Sequence, residues 1–301
     1  MTPRRPLTLF ILLAAMLLVP AHAQARPLIA FSDNQTTTLL DKRFQKTGIK
    51  QVRRNVPYDE VTRGGRRLAH LDQWFAYAQA HNIEPLVSFY RSSRGKTRLP
   101  TVAGYRKYFR AFRKRYPWVK YFSTFNEANF PAAQPTGNFP KRTAQFYKVA
   151  RRECSGGRCK VLTMDFRADG SEFSARWLKT FKRHMGPGPH TWGLVAHPDV
   201  NRLSTKNTRE FLRNTRGDVW AVEVGAVNYF GKFKPSITRQ TRAMRFLMTR
   251  YPRVSRRLKR MYVYHWRAAK RDIWDSGLLN SSGGRRPAYF IFFKALRKRA
   301  P

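Results

Sequence analysis

The chain repeats one pattern eight times: a short run rich in β-branched and aromatic residues, an amphipathic stretch, then Gly, Pro or Asn. Such alternation is typical of parallel strands connected by helices. The amphipathic stretches carry apolar residues at helical spacing, as in Tyr105, Phe109 and Phe112. The predicted strands are PLIAFS (27–32), IKQVRRNV (49–56), EPLVSFY (84–90), KYFSTFN (120–126), KVLTMDF (160–166), TWGLVAH (191–197), VWAVEVG (219–225) and RMYVYHW (260–266).

Eight strand-helix units in 301 residues match the size of a (β/α)8 barrel, which needs about 250 residues. A doubly wound open sheet is the alternative, but it usually carries a glycine-rich turn after its first strand. The corresponding turn here, FSDNQTTT (31–38), has no glycine. No linker, repeat array or low-complexity block divides the chain. We therefore predict an α/β fold, a single (β/α)8 TIM barrel over residues 26–301.

The N-terminus differs in composition from the rest of the chain. Two arginines precede the apolar run Leu7–Val19, and the small residues of AHAQA follow it, which is typical of a secretory signal peptide. A membrane anchor is the alternative, but about 13 apolar residues are few where a span needs about 20. We predict a signal peptide over residues 1–25, cleaved after Ala23 or Ala25, and a secreted, extracellular protein without a transmembrane segment.

Cys154 and Cys159 are the two cysteines of the chain, and Ser-Gly-Gly-Arg separates them. An exported chain meets an oxidising compartment and this spacer allows a tight turn, so we predict a disulfide between them. Two cysteines are poor evidence for zinc, and their spacing is not that of a redox pair. His197 and Asp199 could suggest a metal, but no third ligand lies at characteristic spacing. We expect no metal and no cofactor.

The charge of the chain is strongly unbalanced, with 60 basic against 17 acidic residues and a formal net charge of +43. Such a charge favours anionic surroundings, for example an acidic polysaccharide or a cell-wall polymer. The basic residues are dispersed along the chain rather than gathered in one tract, so they do not indicate a specific nucleic-acid site. A very basic proteome or environment is the simpler explanation, so the charge alone names no ligand. We expect a monomer.

Polar residues gather where the predicted strands end. In a (β/α)8 barrel the C-terminal ends of the strands form the active-site mouth. The residues at these ends contain an unexpectedly large share of carboxylates for a chain with so few acidic residues. The residues at or near these ends are Asp33, Arg53, Arg54, Tyr90, Arg91, Asn126, Glu127, Asp165, His197, Glu223, His265 and Trp266.

Two glutamates have equivalent positions in this arrangement. Of the seven glutamates, only Glu127 and Glu223 lie at or near a strand exit, the fourth and the seventh, which face each other across the mouth. A carboxylate pair can divide the acid and nucleophile roles in glycosidic-bond cleavage. His197 could orient a catalytic carboxylate or bind substrate. Asp33 could bind sugar hydroxyls or pair with an arginine.

Four segments resemble motifs of clan A of the glycoside hydrolases, which are retaining (β/α)8 enzymes. In that clan an Asn-Glu pair ends the fourth strand and a glutamate ends the seventh. Ala128 stands where the clan more often has proline. The segments are FNEAN (125–129), VEVGA (222–226), VRRNVPY (52–58) and YHW (264–266).

The resemblance implies roles for five residues. Glu127 would be the acid/base and Glu223 the nucleophile. Asn126 would bind the sugar 2-hydroxyl, and Trp266 would stack on the sugar face. Arg53 would keep Glu223 ionised, because a nearby guanidinium lowers the pKa of a carboxyl group.

We therefore expect a secreted retaining glycoside hydrolase that acts on a polysaccharide or oligosaccharide. One alternative is a non-catalytic barrel that binds glycan or cell wall; another is a binder of anionic polymers such as nucleic acid. The enzyme is favoured because Glu127, Glu223 and Arg53 are all present, and a decayed site would be expected to lose one of them. A charge-driven binder would be expected to cluster its basic residues on one face.

Overall fold

The computed structural model describes residues 26–231, 233–269 and 273–298. Eight parallel strands form a closed barrel in chain order, and the last pairs with the first. The predicted single (β/α)8 barrel is confirmed. The strands are β1 (Leu28–Ser32), β2 (Gln51–Pro57), β3 (Glu84–Tyr90), β4 (Tyr121–Ser123), β5 (Lys160–Arg167), β6 (Thr191–Val195), β7 (Asp218–Val224), β8 (Tyr229–Phe230), β9 (Leu258–Tyr264) and β10 (Trp274–Asp275).

The barrel consists of β1 to β7 and β9, and each of these strands overlaps a predicted one. The short strands β8 and β10 form a separate antiparallel pair beside the mouth. Several predicted boundaries differ from the structure by one to three residues; the sixth strand, for example, is predicted over 191–197 but ends at Val195. The fourth strand was expected over 120–126 but ends at Ser123, and the eighth was expected to reach position 266 but ends at Tyr264. Residues beyond these ends therefore need not follow the strand alternation.

Helices surround the barrel, and several begin at a residue whose side chain caps the first turn. Thr101, Ser171 and Ser236 each accept a hydrogen bond from a backbone N–H three residues later, which satisfies a donor that the helix itself leaves unpaired. The helices are α1 (Thr36–Leu40), α2 (Lys42–Gln45), α3 (Glu60–Arg63), α4 (Gly65–Ala80), α5 (Val102–Arg115), α6 (Pro140–Glu153), α7 (Glu172–His184), α8 (His197–Asn201), α9 (Lys206–Arg213), α10 (Ile237–Thr249) and α11 (Pro287–Arg297).

The apolar core has two parts. A large cluster lies between the strands and the helices, where residues such as Phe31, Val52 and Phe109 are buried. A smaller cluster fills the inside of the barrel, so the barrel has a packed interior. The inner cluster consists of Ala30, Leu86, Leu162, Val195, Trp220, Val222 and Tyr262.

A β-bulge in β7 changes the direction in which Glu223 points. Leu194 of β6 pairs with Ala221, but the next residue, Val195, pairs with Glu223, so β7 contains one extra residue. Val222 points into the barrel, and strict alternation would turn Glu223 outward. Because the bulge adds one residue, Glu223 also faces the interior, at the level of the mouth.

A second bulge, on β5, turns Asp165 into the barrel in the same way. Leu162 pairs with Thr191 and Asp165 with Gly193, so three steps on β5 oppose two on β6. Gly193 makes this close approach possible, since a Cβ there would lie 2.5 Å from the carbonyl oxygen of Met164. Leu162 faces inward, and the extra residue brings Asp165 inward as well.

Cys154 and Cys159 form the predicted disulfide, which closes the turn between α6 and β5. This turn lies at the end of the barrel opposite the mouth. Across the ranges given above, no helix has the length and apolar character needed to cross a bilayer. The predicted signal peptide, residues 1–25, lies outside the described residues.

Candidate active site

Arg53 is the centre of a polar network inside the barrel. It lies on the inner face of β2 and is only 1% exposed. A guanidinium has five N–H donors, and five donor contacts are made here, so this buried charge is fully compensated. The acceptors are Ser88 Oγ for Nε (3.0 Å), Ser32 Oγ (3.0 Å) and Glu223 Oε2 (2.6 Å) for Nη1, and Asn126 Oδ1 (2.5 Å) and Asp165 Oδ2 (2.7 Å) for Nη2.

Both carboxylate oxygens of Glu223 accept hydrogen bonds. Oε2 accepts from Arg53, and Oε1 lies 3.1 Å from Nε2 of His197. The other ring nitrogen of His197, Nδ1, accepts from the backbone N–H of Gly225 at 2.9 Å. Since Nδ1 is an acceptor, Nε2 must carry the proton and donate it to Glu223. His197 is therefore oriented by the backbone and in turn orients the carboxylate.

These contacts favour the ionised form of Glu223. Burial by itself would raise the pKa of this carboxyl group. The charge of Arg53 and the hydrogen bonds from His197 and Arg53 outweigh that effect and lower the pKa to about 2. Glu223 is thus a carboxylate at neutral pH.

Glu127 lies four residues beyond the end of β4 and has an unusual backbone. Its φ is +40°, in the left-handed region that non-glycine residues rarely occupy. The residues on either side are clamped by backbone hydrogen bonds: Asn126 N donates to Phe89 O at 2.6 Å, and Ala128 N donates to Asp165 O at 3.0 Å. The surrounding barrel therefore imposes a conformation that costs about 1–3 kcal/mol, as is frequent at functional sites.

The carboxyl group of Glu127 lacks the tight cationic contact that Glu223 has. Its side chain is 20% exposed, and in the described chain its one ion pair is with Arg167, whose Nε is 4.0 Å from Oε1. Burial, followed by the negative charge of Glu223, raises the pKa of Glu127 to about 7. The opposing charges of Arg167 and Arg53 only reduce this effect. Each carboxyl group therefore influences the titration of the other.

Asn126 is held beside this pair by Arg53. Its Oδ1 accepts from the guanidinium, which fixes the orientation of the amide, because Nδ2 cannot accept such a bond. Nδ2 is consequently the donor side of Asn126. Asn126 thus belongs to one hydrogen-bonded network with Arg53, Glu223 and His197.

Trp266 is not at the site, and its predicted stacking on a sugar is wrong. It is 1% exposed and packs edge-on against Phe31 and Phe44, in the cluster between barrel and helices. Its indole Nε1 donates to Asp41 Oδ2 at 3.0 Å. The physical reason is that β9 ends at Tyr264, so Trp266 no longer follows the strand alternation and turns outward.

The predicted substrate contact of Asp33 is also wrong. This residue is buried, and its two oxygens accept the backbone N–H groups of Gln35 (2.8 Å) and Trp266 (2.9 Å). It therefore fastens the end of β1 to the end of β9. Asp199 has a similar structural role, since it accepts the backbone N–H groups of Asn207 and Thr208 at the start of α9.

Two aromatic residues near Glu223 were missed by sequence reasoning. The ring of Trp274 lies 4.4 Å from that of His197, centroid to centroid, and the ring of Tyr264 lies 6.0 Å from it. Tyr264 follows the inward-facing Tyr262 by two positions, and this alternation was the available signal. Trp274 lies on β10, and no strand or motif pattern in the sequence pointed to it. Among the residues that the structure describes, no cluster of three or more His, Cys, Asp or Glu could hold a metal ion.

Solved glycoside hydrolase structures share this fold. The Penicillium canescens endo-1,4-beta-xylanase XylE has a TM-score of 0.65 and 12% identity, over 91% of this chain and 95% of its own. A psychrophilic family 10 endo-beta-1,4-xylanase has a TM-score of 0.64 and 13% identity, over 89% and 96%. A family 39 glycoside hydrolase from Bacteroides cellulosilyticus WH2 has a TM-score of 0.57 and 15% identity, over 91% and 65%. At these identities the similarity establishes the barrel fold.

No protein-family profile matches the chain, and no curated protein matches it either.

Proposed function

We propose that this protein is a retaining glycoside hydrolase that cleaves glycosidic bonds in a polysaccharide or oligosaccharide. The observation that carries the proposal is the contrast between two glutamates at one barrel mouth: Arg53 and His197 hydrogen-bond Glu223, whereas Arg167 approaches Glu127 only to 4.0 Å. These surroundings shift the two pKa values in opposite directions. Glycosidic cleavage with retention needs one protonated carboxylic acid and one carboxylate flanking the same bond. The shared fold with glycoside hydrolases supports the same class of reaction.

The residues then act in two steps. Glu223 attacks the anomeric carbon while Glu127 donates its proton to the departing glycosidic oxygen, and a covalent glycosyl-enzyme forms. Glu127, now a carboxylate, removes a proton from water, which attacks the anomeric carbon and releases Glu223. Arg53 and His197 hold Glu223 ionised and oriented before attack. Asn126 offers its Nδ2 donor to a sugar hydroxyl, and Tyr264 and Trp274 lie beside His197, which holds the reacting carboxylate.

The test is hydrolysis by matched variants. Wild type is screened against a panel of polysaccharides and activated aryl glycosides, with Glu223→Gln as the blank. Glu223→Gln should lower the rate by roughly 10⁴-fold or more, because it removes the nucleophile. Glu127→Ala should slow polysaccharide cleavage strongly but retain part of the activity on aryl glycosides, whose leaving groups need little protonation.

Two outcomes would refute the assignment. If both variants matched wild type on a substrate that wild type cleaves, the two glutamates would have no catalytic role. If wild type bound glycans from the panel but cleaved none of them, the non-catalytic glycan-binding barrel would be the better description.

We also propose that the protein is secreted, on the basis of the signal-like pattern of residues 1–25. Expression of the full chain, followed by N-terminal sequencing of the protein in the medium, tests this. The expected first residue is Gln24 if cleavage follows Ala23, and Arg26 if it follows Ala25. A protein that stays in the cells with residues 1–25 intact would contradict the proposal.

A further inference from the structure

A cavity of about 680 Å³ lies between the ends of β2 and β3 and the helices α3 and α4. Asn55 and Tyr90 line it. Asn55 follows Arg53 by two positions on β2, and Tyr90 follows Ser88 by two positions on β3, so both face the same side as those inner residues. Arg53 and Ser88 belong to the network that holds Glu223. Two of the residues that line the cavity therefore follow this network along β2 and β3, toward the barrel mouth.

Three buried polar atoms of residues that line this cavity have no hydrogen-bond partner among the described residues. They are Nε of Arg54, Oδ1 of Asn55 and Oε2 of Glu60. Glu60 is only 3% exposed, so solvent does not compensate its carboxyl group. An unpaired buried donor or acceptor costs about 1–3 kcal/mol. These three atoms are shielded from solvent, so they make the wall of the cavity polar without offering an open hydrogen-bonding position.

The lining is also strongly cationic. Five basic side chains face a single carboxyl group, that of Glu60, and within the described ranges none of the five lies within ion-pair distance of a carboxylate. Three of them donate to neutral backbone carbonyls: Arg54 to Asn34, Arg67 to Ser93 and Lys96 to Ala132. The five are Arg54, Arg67, Arg91, Arg94 and Lys96.

We propose that this cavity is a subsite for a sugar residue that bears an anionic group, so that the substrate of the proposed glycosidase is an acidic polysaccharide. The inference rests on the proposed function and specifies its substrate class. The anionic group would pair with the arginines, whose planar donors fit a carboxylate or a sulfate ester. Either group supplies the same chemistry.

Binding of defined polymers tests the proposal. The probes are polygalacturonate, glucuronoxylan and a sulfated galactan, each compared with its carboxyl-reduced or desulfated form of the same linkage. Affinity is measured with the Glu223→Gln protein, which does not consume the probe, and in the same background with Arg91→Gln/Arg94→Gln. The control is Arg213→Gln/Arg216→Gln, which removes the same charge from exposed residues at the opposite end of the barrel. Melting temperatures verify that each variant is folded.

The expected result is that at least one anionic polymer binds about tenfold or more tightly than its uncharged form. The Arg91/Arg94 pair should abolish this preference, and the Arg213/Arg216 pair should retain it. The uronate and sulfate probes show which anionic group is preferred. No preference for any anionic form, or an equal loss in both double variants, would overturn the proposal.

Hydrolysis by wild type separates this inference from the proposed function. If wild type cleaves charged and uncharged polymers equally well and the Arg91/Arg94 pair changes nothing, the glycosidase remains and the anionic subsite is refuted. If the anionic preference in binding is present but nothing is cleaved, the subsite remains and the catalytic function is refuted.

Discussion

Glu223 and Glu127 lie at one barrel mouth but are held in opposite ways. Glu223 is part of β7, a bulge aims it inward, and its oxygens accept from Arg53 and His197. Glu127 lies beyond the end of β4 in a left-handed conformation, and Arg167 approaches it only to 4.0 Å. The barrel thus places close hydrogen-bond donors around Glu223 and leaves Glu127 with a distant cation.

The difference shows how one fold gives two residues of the same type opposite protonation states. The donors around Glu223 stabilise its charge, whereas burial and the negative charge of Glu223 destabilise the charge of Glu127. Two titratable groups whose environments separate their pKa values are the usual arrangement of an acid and a nucleophile. Changes that equalise the two environments should therefore abolish activity.

The largest expected effect is that of Arg53→Gln. This variant leaves two buried carboxylates, Glu223 and Asp165, without their cation. Breaking a buried ion pair in this way typically costs about 3–5 kcal/mol, so the free energy of unfolding should fall by about that amount. Urea denaturation measures it, and activity should be lost as well.

A matched control for Arg53 lies at the other end of the barrel. Arg260 pairs with Glu84 at 2.6 Å and covers the ring of Trp220, but Glu84 is about one-third exposed and can be hydrated again. Arg260→Gln should therefore cost only about 1–2 kcal/mol. Equal losses in the free energy of unfolding would show that the network around Arg53 stabilises the fold no more than the ion pair of Arg260 does.

The backbone of Glu127 gives the next prediction. Its φ of +40° suits glycine better than any residue with a Cβ. Glu127→Gly should therefore be about 1 kcal/mol more stable than Glu127→Ala in chemical denaturation. The control is Glu210 inside α9, where the order should reverse because glycine is the poorer helix former. The same order at both positions would contradict the strained conformation.

The smallest expected effect concerns Arg167. Its charge lowers the pKa of Glu127, so removing that charge in Arg167→Gln should raise this pKa further. The activity of wild type should fall above about pH 7 as Glu127 loses its proton, and the variant should hold its activity to higher pH. Profiles of kcat/KM against pH measure the shift. Arg176→Gln, which removes an exposed arginine paired with Glu172, is the control and should leave the profile unchanged.

Much of the fold was predictable because it depends on local pattern. Each barrel strand is an apolar run between turn residues, and the count of eight follows from that alternation. The positions of Glu127 and Glu223 follow from the same count, since strand ends define the mouth. Arg53 was predictable from its motif, although its five acceptors come from five other segments of the chain.

What could not be predicted depends on how strands pair. The bulges that turn Glu223 and Asp165 inward arise from their register against β6, and alternation alone would place Glu223 on the outer face. The error at Trp266 has the same origin, because β9 ends two residues before it. The approach of Trp274 to His197 depends on the pairing of β10 with β8, which no local pattern indicates.

The central claim, that Glu127 and Glu223 share one mouth and divide the protonation states, is tested most directly by titrating their carboxyl groups. Carbon-13 NMR of the glutamate-labelled protein, with Glu127→Gln and Glu223→Gln for assignment, needs no substrate. One glutamate should titrate near pH 7, and its signal should be absent from Glu127→Gln. In Glu223→Gln the pKa of Glu127 should fall, because a negative charge beside it is gone. A Glu127 that titrates near the ordinary value of about 4.3, or that ignores the loss of Glu223, would contradict the account.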